Sequence, residues 1–365
     1  MEIDVNPLRG RGLPSEIGLA GGPVRTDPTD ALALLARCPV HAATPLLTPK
    51  RLAERLDIDQ LYLKDERSRM GLGSFKALGA GHVIARMAAD RMDRPGCPAS
   101  ADDLSTALTD TVFACPSAGN HGLSVAAAAA VFGAGARVYL SETVPEAFAR
   151  RLRAYGATVV RAGADYEASI AAAQEDAEEQ GYVLLSDSSW PDYLEIPTAV
   201  MEGYLVMVSE MVDAIDPPAT HVVVQAGVGG LAAAVTALVR DRWGERPTVV
   251  VVEPSRSPAL QASIRAGRPV TAPGSASSMG RLDCKEPSYL ALDELARAAD
   301  HFVTISDEEA EDTVELLREH GIDTTPSGAA GVSVLHHARG HHHVLGLGPD
   351  SRVVAIITEG PEGTS

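Results

Sequence analysis

Short runs of β-branched residues alternate along this chain with Ala-rich stretches of helical period. Such alternation is typical of a mostly parallel sheet whose strands are joined by right-handed helical crossovers, so the sequence predicts an α/β fold. A length of 365 residues favours two domains over one. The Asp-, Pro- and Ser-rich segment 90–110 breaks both periods and is predicted to be a surface excursion between a helix and a strand. The predicted strands are 61–64, 111–114, 137–140, 158–161, 182–185, 221–225, 248–253 and 352–357.

Charge and cysteine content argue against several kinds of partner. The formal net charge of −18 disfavours binding to nucleic acid or to anionic membranes. The sequence has no apolar run of membrane-spanning length and no apolar segment of a secretion signal. The four cysteines, at positions 38, 97, 115 and 284, have neither metal-ligand spacing nor the density of a disulfide scaffold. We therefore expect a cytoplasmic protein with free thiols.

Five histidines cluster near the C-terminus and raise the question of a metal site. The sequence puts them in a Gly-containing connection without neighbouring acidic or Cys ligands, which favours a solvated loop. No metal site is predicted. The histidines are His336, His337, His341, His342 and His343.

The first of three glycine-bearing segments presents one lysine at the start of a predicted helix. It reads Gly71-Leu-Gly-Ser-Phe-Lys-Ala-Leu-Gly79, with Lys76 following a flexible approach. The positive end of the helix dipole and partial desolvation both disfavour an ammonium group. The segment therefore predicts a lowered pKa for Lys76 and an amine ready to form an imine, whereas taken alone it also fits a surface lysine.

Two further segments follow β-branched strands and precede Ala-rich helices. Ser117-Ala-Gly-Asn-His-Gly122 can hold an anion such as an amino-acid carboxylate through its amides and the Ser117 hydroxyl, or it can simply cap a helix. Gln225-Ala-Gly-Val-Gly-Gly-Leu231 is predicted to bind a phosphate, because its glycines let N–H groups approach a dianion at a helix N-terminus. A nucleotide phosphate would fit this loop equally well. Ligands gather at the carboxyl ends of strands in open α/β sheets, so we expect the segments to meet.

Together and in this order, the three segments resemble those of the fold-type-II pyridoxal-phosphate (PLP) enzymes, the tryptophan synthase β superfamily. The resemblance implies a two-domain α/β protein in which each domain is an open, twisted, mostly parallel sheet flanked by helices. Residues 1–75 plus 188–365 would form a large PLP-binding domain, and residues 76–187 a small mobile domain with the asparagine loop. A homodimer acting on a small amino acid is also implied.

The same resemblance implies a role for each segment. Lys76, beside Phe75, would carry PLP, and Asn120 would hydrogen-bond its phenolic oxygen. Thr358 after the last strand would face the pyridine nitrogen, with Ser327 as the competing candidate; a hydroxyl partner there suits elimination chemistry. The phosphate would lie against Gly227, Val228, Gly229, Gly230 and Leu231. The substrate carboxylate would lie in the loop formed by Ser117, Ala118, Gly119 and His121.

Within this superfamily the chain most resembles the diaminopropionate ammonia-lyases. Threonine dehydratases share the lysine and asparagine loops but are less similar elsewhere. The stretches that carry the resemblance are 38–46, 61–66, 71–79, 187–190, 196–197, 252–254 and 279–287.

Three features of the sequence bear on the substrate. The family usually has an Asp where this chain has Ala118, an acid thought to assist with the D-isomer, so activity on a D-substrate is doubtful. Asp187 is retained and would bind a β-ammonium group or manage the leaving group's proton, unless it only caps a helix. Arg281, Asp283 and Lys285 stand where the family tends to carry small residues. Arg281 would grip a second substrate carboxylate or, as we expect for a lone Arg, face water.

The function that the resemblance implies is α,β-elimination from a β-substituted L-amino acid, foremost 2,3-diaminopropionate, to pyruvate and ammonia. Dehydration of serine, threonine or 3-hydroxyaspartate, or β-replacement in a biosynthetic pathway, would use the same machinery. A non-catalytic sensor of an amino acid or PLP is the alternative from another class.

Overall fold

The computed structural model of the protein describes residues 1–14, 17, 24–93, 99–117, 119–164 and 166–361. The strands are β1 Glu2–Val5, β2 Leu46–Leu47, β3 Gln60–Asp65, β4 Val112–Cys115, β5 Gly135–Leu140, β6 Thr158–Arg161, β7 Val183–Leu184, β8 His221–Gln225, β9 Thr248–Pro254, β10 His301–Ile305 and β11 Arg352–Ile357. The helices are α1 Thr29–Leu35, α2 Lys50–Arg55, α3 Lys76–Met92, α4 Ala101–Ser105, α5 Asn120–Val131, α6 Glu146–Ala154, α7 Tyr166–Gln180, α8 Glu195–Ala214, α9 Gly230–Trp243, α10 Ala259–Ala266, α11 Tyr289–Ala298, α12 Asp307–Glu319, α13 Pro326–His337 and α14 His342–Leu345.

Two separate sheets organise the chain. The larger has seven strands in the order β1-β10-β9-β8-β11-β3-β2, and only its two edge strands, β1 and β2, pair in antiparallel fashion. The smaller has four parallel strands in the order β6-β5-β4-β7. Every residue of the central strand β8 is buried, which explains its unbroken apolar run, since helices cover both faces of a parallel sheet. The predicted α/β architecture of mostly parallel sheets is confirmed.

The predicted strands all occur, each within two residues of its observed bounds. Three strands were not predicted: the short edge strands β1 and β2, and β10, which follows an Ala-rich helix without a turn signal. The segment 90–110 connects α3 to β4 as expected but also contains α4, which begins with a capping box at Ser100. Residues 94–98 lie outside the described part of the chain.

The environment expected for the histidine cluster was wrong. His336 and His337 end helix α13 and so do not lie in a loop, because the helical period continues to them. An acidic neighbour is also present: the Asp312 carboxylate lies 3.6 Å from His336 Nδ1 and 3.4 Å from His337 Nε2. His337 Nε2 lies 3.1 Å from the carbonyl oxygen of Glu309, to which it donates.

The remaining sequence expectations concern cysteines and membrane spans. Cys38, Cys115 and Cys284 are free thiols, and Cys97 lies outside the described residues. Among the helices in the described ranges, none combines the length and the apolar character needed to cross a bilayer.

A buried cluster of charges fixes the turn that leads to the lysine segment. The Arg69 guanidinium, with no exposed surface, donates to the carboxylates of Glu66 and Glu210 at 2.7 Å each. Lys64 on β3 donates to Glu210 at 2.5 Å. Two cations and two carboxylates thus compensate each other in the interior, where an unpaired charge would be costly. The cluster anchors the turn at residues 66–71, directly before Lys76.

Candidate active site

The three glycine-bearing segments meet around one cavity, as predicted. The helices that follow them, α3, α5 and α9, all direct their N-termini toward it, a geometry that suits an anionic ligand. The cavity, counted together with its opening to solvent, has a volume of about 1230 Å³. Its lining residues are Phe75, Lys76, Ser117, Gly119, Asn120, His121, Asp187, Gln225, Ala226, Gly227, Val228, Gly229, Gly230, Leu231, Gly280, Arg281, Leu282, Asp283, Cys284, Thr358 and Glu359.

Lys76 and Asp187 form an ion pair inside this cavity. Burial alone disfavours the ammonium, but the Asp187 carboxylate and the nearby Tyr204 hydroxyl outweigh it and raise the pKa of Lys76 above its usual value. The predicted lowering was therefore wrong, because the sequence did not reveal that a carboxylate faces the amine. Burial likewise favours protonated Asp187, yet Lys76 holds the pKa of this carboxyl well below its usual range. Asp187 pairs with the lysine and does not cap a helix.

The loop 225–231 has the geometry of an anion cradle. Gly229 caps α9 with φ +104°, a left-handed conformation that glycine adopts readily. A Cβ on Gly227 would lie 3.0 Å from Cys284 Sγ and 3.2 Å from the carbonyl oxygen of Arg281, so a side chain would crowd the cradle. Gly227 and Gly229 thus keep the main-chain N–H groups open to a phosphate, and Lys76 lines the same cavity. These residues fit PLP.

The asparagine loop brings Asn120 to the opposite side of the cavity. Asn120 begins α5 and donates through Nδ2 to the carboxylate of Glu359. Ser117 and Gly119 also line the cavity, whereas Ala118 lies outside the described residues. The loop therefore offers backbone and hydroxyl donors at a helix N-terminus.

His121 lies in the same loop but its ring suits a different role from the one implied by the resemblance. Burial lowers the pKa of His121, so the imidazole is neutral at neutral pH. Its Nε2 lies 3.1 Å from the carbonyl oxygen of Leu185 and must donate to it, which leaves Nδ1 as an acceptor. The ring cannot donate to a carboxylate in this state, and only the backbone N–H of His121 remains for that purpose.

The two hydroxyls considered for the pyridine nitrogen occupy different positions. Thr358 lines the cavity, and its Oγ1 accepts a hydrogen bond from Gln225 Nε2 at 3.3 Å. Ser327 is not among the lining residues, and its Oγ accepts from the backbone N–H of Arg281 at 3.2 Å. Thr358 is therefore the better placed of the two.

Arg281 lies at the cavity and not in open solvent, contrary to our expectation for a lone Arg. Its guanidinium carbon lies 5.1 Å from the centre of the Phe148 ring, and its Nε lies 3.8 Å from the Glu359 carboxylate. Lys285, in contrast, donates to Asp283 at 2.6 Å and to two backbone carbonyls, and it does not line the cavity. Of the three charged residues that replace the family's usual small residues in this segment, Arg281 and Asp283 thus line the cavity.

Two polar residues of the site were not predicted. Glu359 is 5% exposed and accepts hydrogen bonds from both Asn120 and Thr325. Gln225 is 1% exposed and donates to Thr358. Each flanks a motif that the sequence did mark, Thr358 and the phosphate loop respectively, and that adjacency was the signal that could have identified them.

Comparison with known proteins decides the family. The pyridoxal-phosphate dependent enzyme family matches residues 38–359. The chain belongs to this family. PLP is accordingly its cofactor, and the enzyme is a PLP-dependent lyase of the fold-type-II architecture.

Individual relatives sharpen this comparison. The protein is 31% identical over 356 residues to a diaminopropionate ammonia-lyase of Salmonella typhimurium, covering 91% of this chain and 88% of the relative. It superposes with a TM-score of 0.88 and 26% identity on a crystal structure of Escherichia coli diaminopropionate ammonia-lyase in complex with D-serine, covering 98% of this chain and 93% of that one. A second structure of the E. coli enzyme, in complex with an aminoacrylate-PLP azomethine reaction intermediate, gives a TM-score of 0.85 at 26% identity, with 98% and 93% of the chains covered.

Proposed function

We propose that this enzyme catalyses α,β-elimination from a β-amino-substituted L-amino acid, with 2,3-diaminopropionate as its substrate and pyruvate and ammonia as products. The observation that carries the proposal is the Lys76–Asp187 pair in the cavity between the phosphate and asparagine loops. An amine can take the α-proton, and a carboxylate beside it can hold the β-ammonium group that leaves as ammonia. The named activity of the relatives at 30–31% identity supports the same reaction.

Several residues would hold the cofactor. Lys76 would bind it covalently beside Phe75, the loop 227–231 would take its phosphate, and Asn120 its phenolic oxygen. Thr358 would face the pyridine nitrogen, a role favoured by its position in the cavity lining. When bound, PLP supplies an electron-withdrawing conjugated ring that stabilises negative charge at the substrate Cα.

The substrate would be oriented by the asparagine loop. The α-carboxylate would accept hydrogen bonds from the Ser117 hydroxyl and from N–H groups of Gly119 and His121 at the start of α5. This holds the Cα–H bond toward Lys76, whose amine takes the α-proton.

Asp187 would act at the other end of the substrate. Its carboxylate is ionised, and while one oxygen contacts the amine of Lys76 the other would bind the substrate's β-ammonium group. The β-nitrogen would then leave as neutral ammonia with the electron pair of the broken C–N bond. A dehydratase has no need of an anion there to hold a cation, so Asp187 favours an amino leaving group.

A second candidate is elimination from an acidic substrate such as 3-hydroxyaspartate, and one observation favours it. Arg281 lies at the cavity beside Gly119, where a Cβ on Gly119 would be 3.4 Å from its Cδ. A guanidinium there can bind a second carboxylate. Dehydration of serine or threonine and β-replacement use the same residues and remain further alternatives for the substrate panel below.

We further propose the division into a large domain of residues 1–75 plus 188–365 and a small mobile domain of residues 76–187. The distribution of the sheets supports it, since all four strands of the smaller sheet fall within 76–187 and those of the larger sheet fall outside. A cytoplasmic homodimer is proposed on the family resemblance. Light scattering after size-exclusion chromatography tests the dimer.

The test of the proposed function is keto-acid release by the PLP-loaded enzyme. The panel holds L- and D-diaminopropionate, serine, threonine, cysteine and 3-hydroxyaspartate. We expect turnover of L-diaminopropionate, none of the D-isomer, and loss of turnover in Lys76→Ala but not in Lys50→Ala, which changes an exposed lysine. Turnover of 3-hydroxyaspartate alone would indicate a dehydratase. If the enzyme binds PLP but releases no keto acid from any substrate of the panel, β-replacement or a sensor would be indicated.

A further inference from the structure

Tyr204 lies beneath the active-site cavity and contacts two of its glycine segments. The side chain extends from α8, is 1% exposed, and does not line the cavity itself. A Cβ on Gly79 would lie 2.7 Å from Tyr204 Cε1, and one on Gly230 would lie 3.9 Å from Cε2. The ring therefore occupies the space between the lysine helix α3 and the start of α9. Gly79 must lack a side chain for the ring to fit.

The ring is also fixed against the cofactor lysine. Tyr204 packs edge-to-face on Phe75 with ring centres 5.0 Å apart. Lys76 Nζ lies 5.6 Å from the centre of the Tyr204 ring and 5.2 Å from that of Phe75. The amine of Lys76 thus lies over both aromatic rings.

The hydroxyl of Tyr204 makes no hydrogen bond of ordinary length and angle with any of the described residues. A buried hydroxyl without a partner is unfavourable, and Phe would fill the same space without that cost. Burial raises the pKa of Tyr204 to about 12, so the group is a neutral phenol. Packing therefore explains why an aromatic ring is present at position 204, but it does not explain why that ring carries a hydroxyl group. The amine of Lys76 is a polar group of the site with which this hydroxyl interacts.

We propose that Tyr204 is a positioning residue for Lys76, its hydroxyl oxygen accepting one N–H of the amine when the lysine is released from the cofactor. Asp187 already accepts another N–H of the same amine. With two N–H groups held, the lone pair of the neutral amine points away from both acceptors and toward the substrate. The amine then takes the Cα proton and becomes an ammonium, and the electron pair of the broken C–H bond stays with the substrate–cofactor system.

This inference rests on the proposed role of Lys76 as cofactor lysine and base, and it deepens that role. The other titratable groups near the pair, His121, Cys115 and Cys284, are neutral, because burial lowers the pKa of the imidazole and raises the pKa of both thiols. They offer no competing charge to hold the amine.

Tyr204→Phe tests the proposal, because it removes the oxygen and keeps the ring. We expect kcat to fall about 10- to 100-fold, the range for losing a hydrogen bond to a group that becomes charged as it takes the proton, with KM little changed. The isotope effect for an α-deuterated substrate should rise, since proton removal becomes more limiting. PLP affinity and the melting temperature of the apoprotein should match or exceed the wild-type values. Tyr62→Phe, at a buried tyrosine of β3 away from the cavity, is the matched control.

A second measurement separates this inference from the proposed function. Exchange of the α-proton of L-alanine in D2O, followed by NMR, requires the Lys76 amine but no leaving group. If the wild type exchanges this proton but eliminates nothing, the ammonia-lyase proposal fails and the exchange rate of Tyr204→Phe decides the role of Tyr204. Wild-type exchange and elimination rates in Tyr204→Phe would overturn the inference. So would a joint loss of activity, PLP affinity and apoprotein stability, which would assign Tyr204 to packing alone.

Discussion

Lys76 and Asp187 form a partly buried ion pair although one begins helix α3 and the other follows strand β7. The pair connects the lysine helix to the end of the smaller sheet, and each partner stabilises the charged form of the other. With a cofactor attached to Lys76, the Asp187 carboxylate would face the cavity without the free amine as its partner. An enzyme that expels a β-amine has a direct use for that anion.

Replacing Asp187 should affect reactions according to their leaving group. Asp187→Asn removes the anion and keeps the shape, so turnover of L-diaminopropionate should fall by about 10²-fold or more, because the β-ammonium group loses its anionic partner in the site. β-Chloroalanine expels chloride without needing a proton or a bound cation, and its turnover should fall much less. Steady-state kinetics with both substrates measure the contrast. Equal losses with both would mean that Asp187 does not act on the leaving group.

The phosphate cradle should be sensitive at Gly229. An Ala there would strain a φ of +104° and bring its Cβ to 3.0 Å from Ala291 Cβ. Fluorescence titration of the apoprotein should give a PLP affinity at least about tenfold weaker, equivalent to about 1.4 kcal/mol. Gly244→Ala is the control, because Gly244 also has a positive φ, of +68°, but its Cβ would meet nothing within 4 Å. Similar affinities for the two variants would refute a cradle at Gly229.

Thr358 and Ser327 can be separated by the absorbance and affinity of the bound cofactor. Thr358→Ala should lower PLP affinity several-fold, the effect of losing one hydrogen bond of about 1 kcal/mol, and should shift the absorbance spectrum. Ser327→Ala should leave the spectrum unchanged, since its hydroxyl serves the backbone of Arg281. The reverse pattern would assign the pyridine partner to Ser327.

Acid should destabilise the protein through its buried histidines. Burial lowers the pKa of His121 in the folded state, so below about pH 6.5 the unfolded chain binds a proton that the folded one does not. Stability therefore falls as the pH drops through the unfolded value and until the folded value is passed. His121→Gln, which retains an N–H donor, should lose less melting temperature between pH 7.5 and 5.5 than the wild type. The same change at exposed His343 is the control; equal losses in all three proteins would contradict the assignment of His121.

The sequence predicted those parts of the site that local patterns encode. Glycines between a β-branched strand and a helix identified both anion-binding loops, and one lysine after Gly71 and Gly73 identified the third segment. What it could not supply were contacts between distant segments. In the sequence, Tyr204 cannot be told apart from the core-facing positions of α8, and its role depends on the packing of α8 against α3. The pKa of Lys76 likewise depends on Asp187, which is distant in the sequence and follows strand β7. Strand prediction has the same limit. The five residues of β10 do not by themselves indicate a strand, and the strand is evident only from its pairing with β9 and β1.

Elimination by Lys76 is tested by the ratio of ammonia to pyruvate that the PLP-loaded enzyme releases from L-diaminopropionate, with Lys76→Ala as blank. Elimination of the β-amine followed by hydrolysis of the enamine predicts two molecules of ammonia for each pyruvate. A preparation that holds PLP and releases no pyruvate from this substrate, or releases it at the same rate after Lys76 is replaced, would contradict the account.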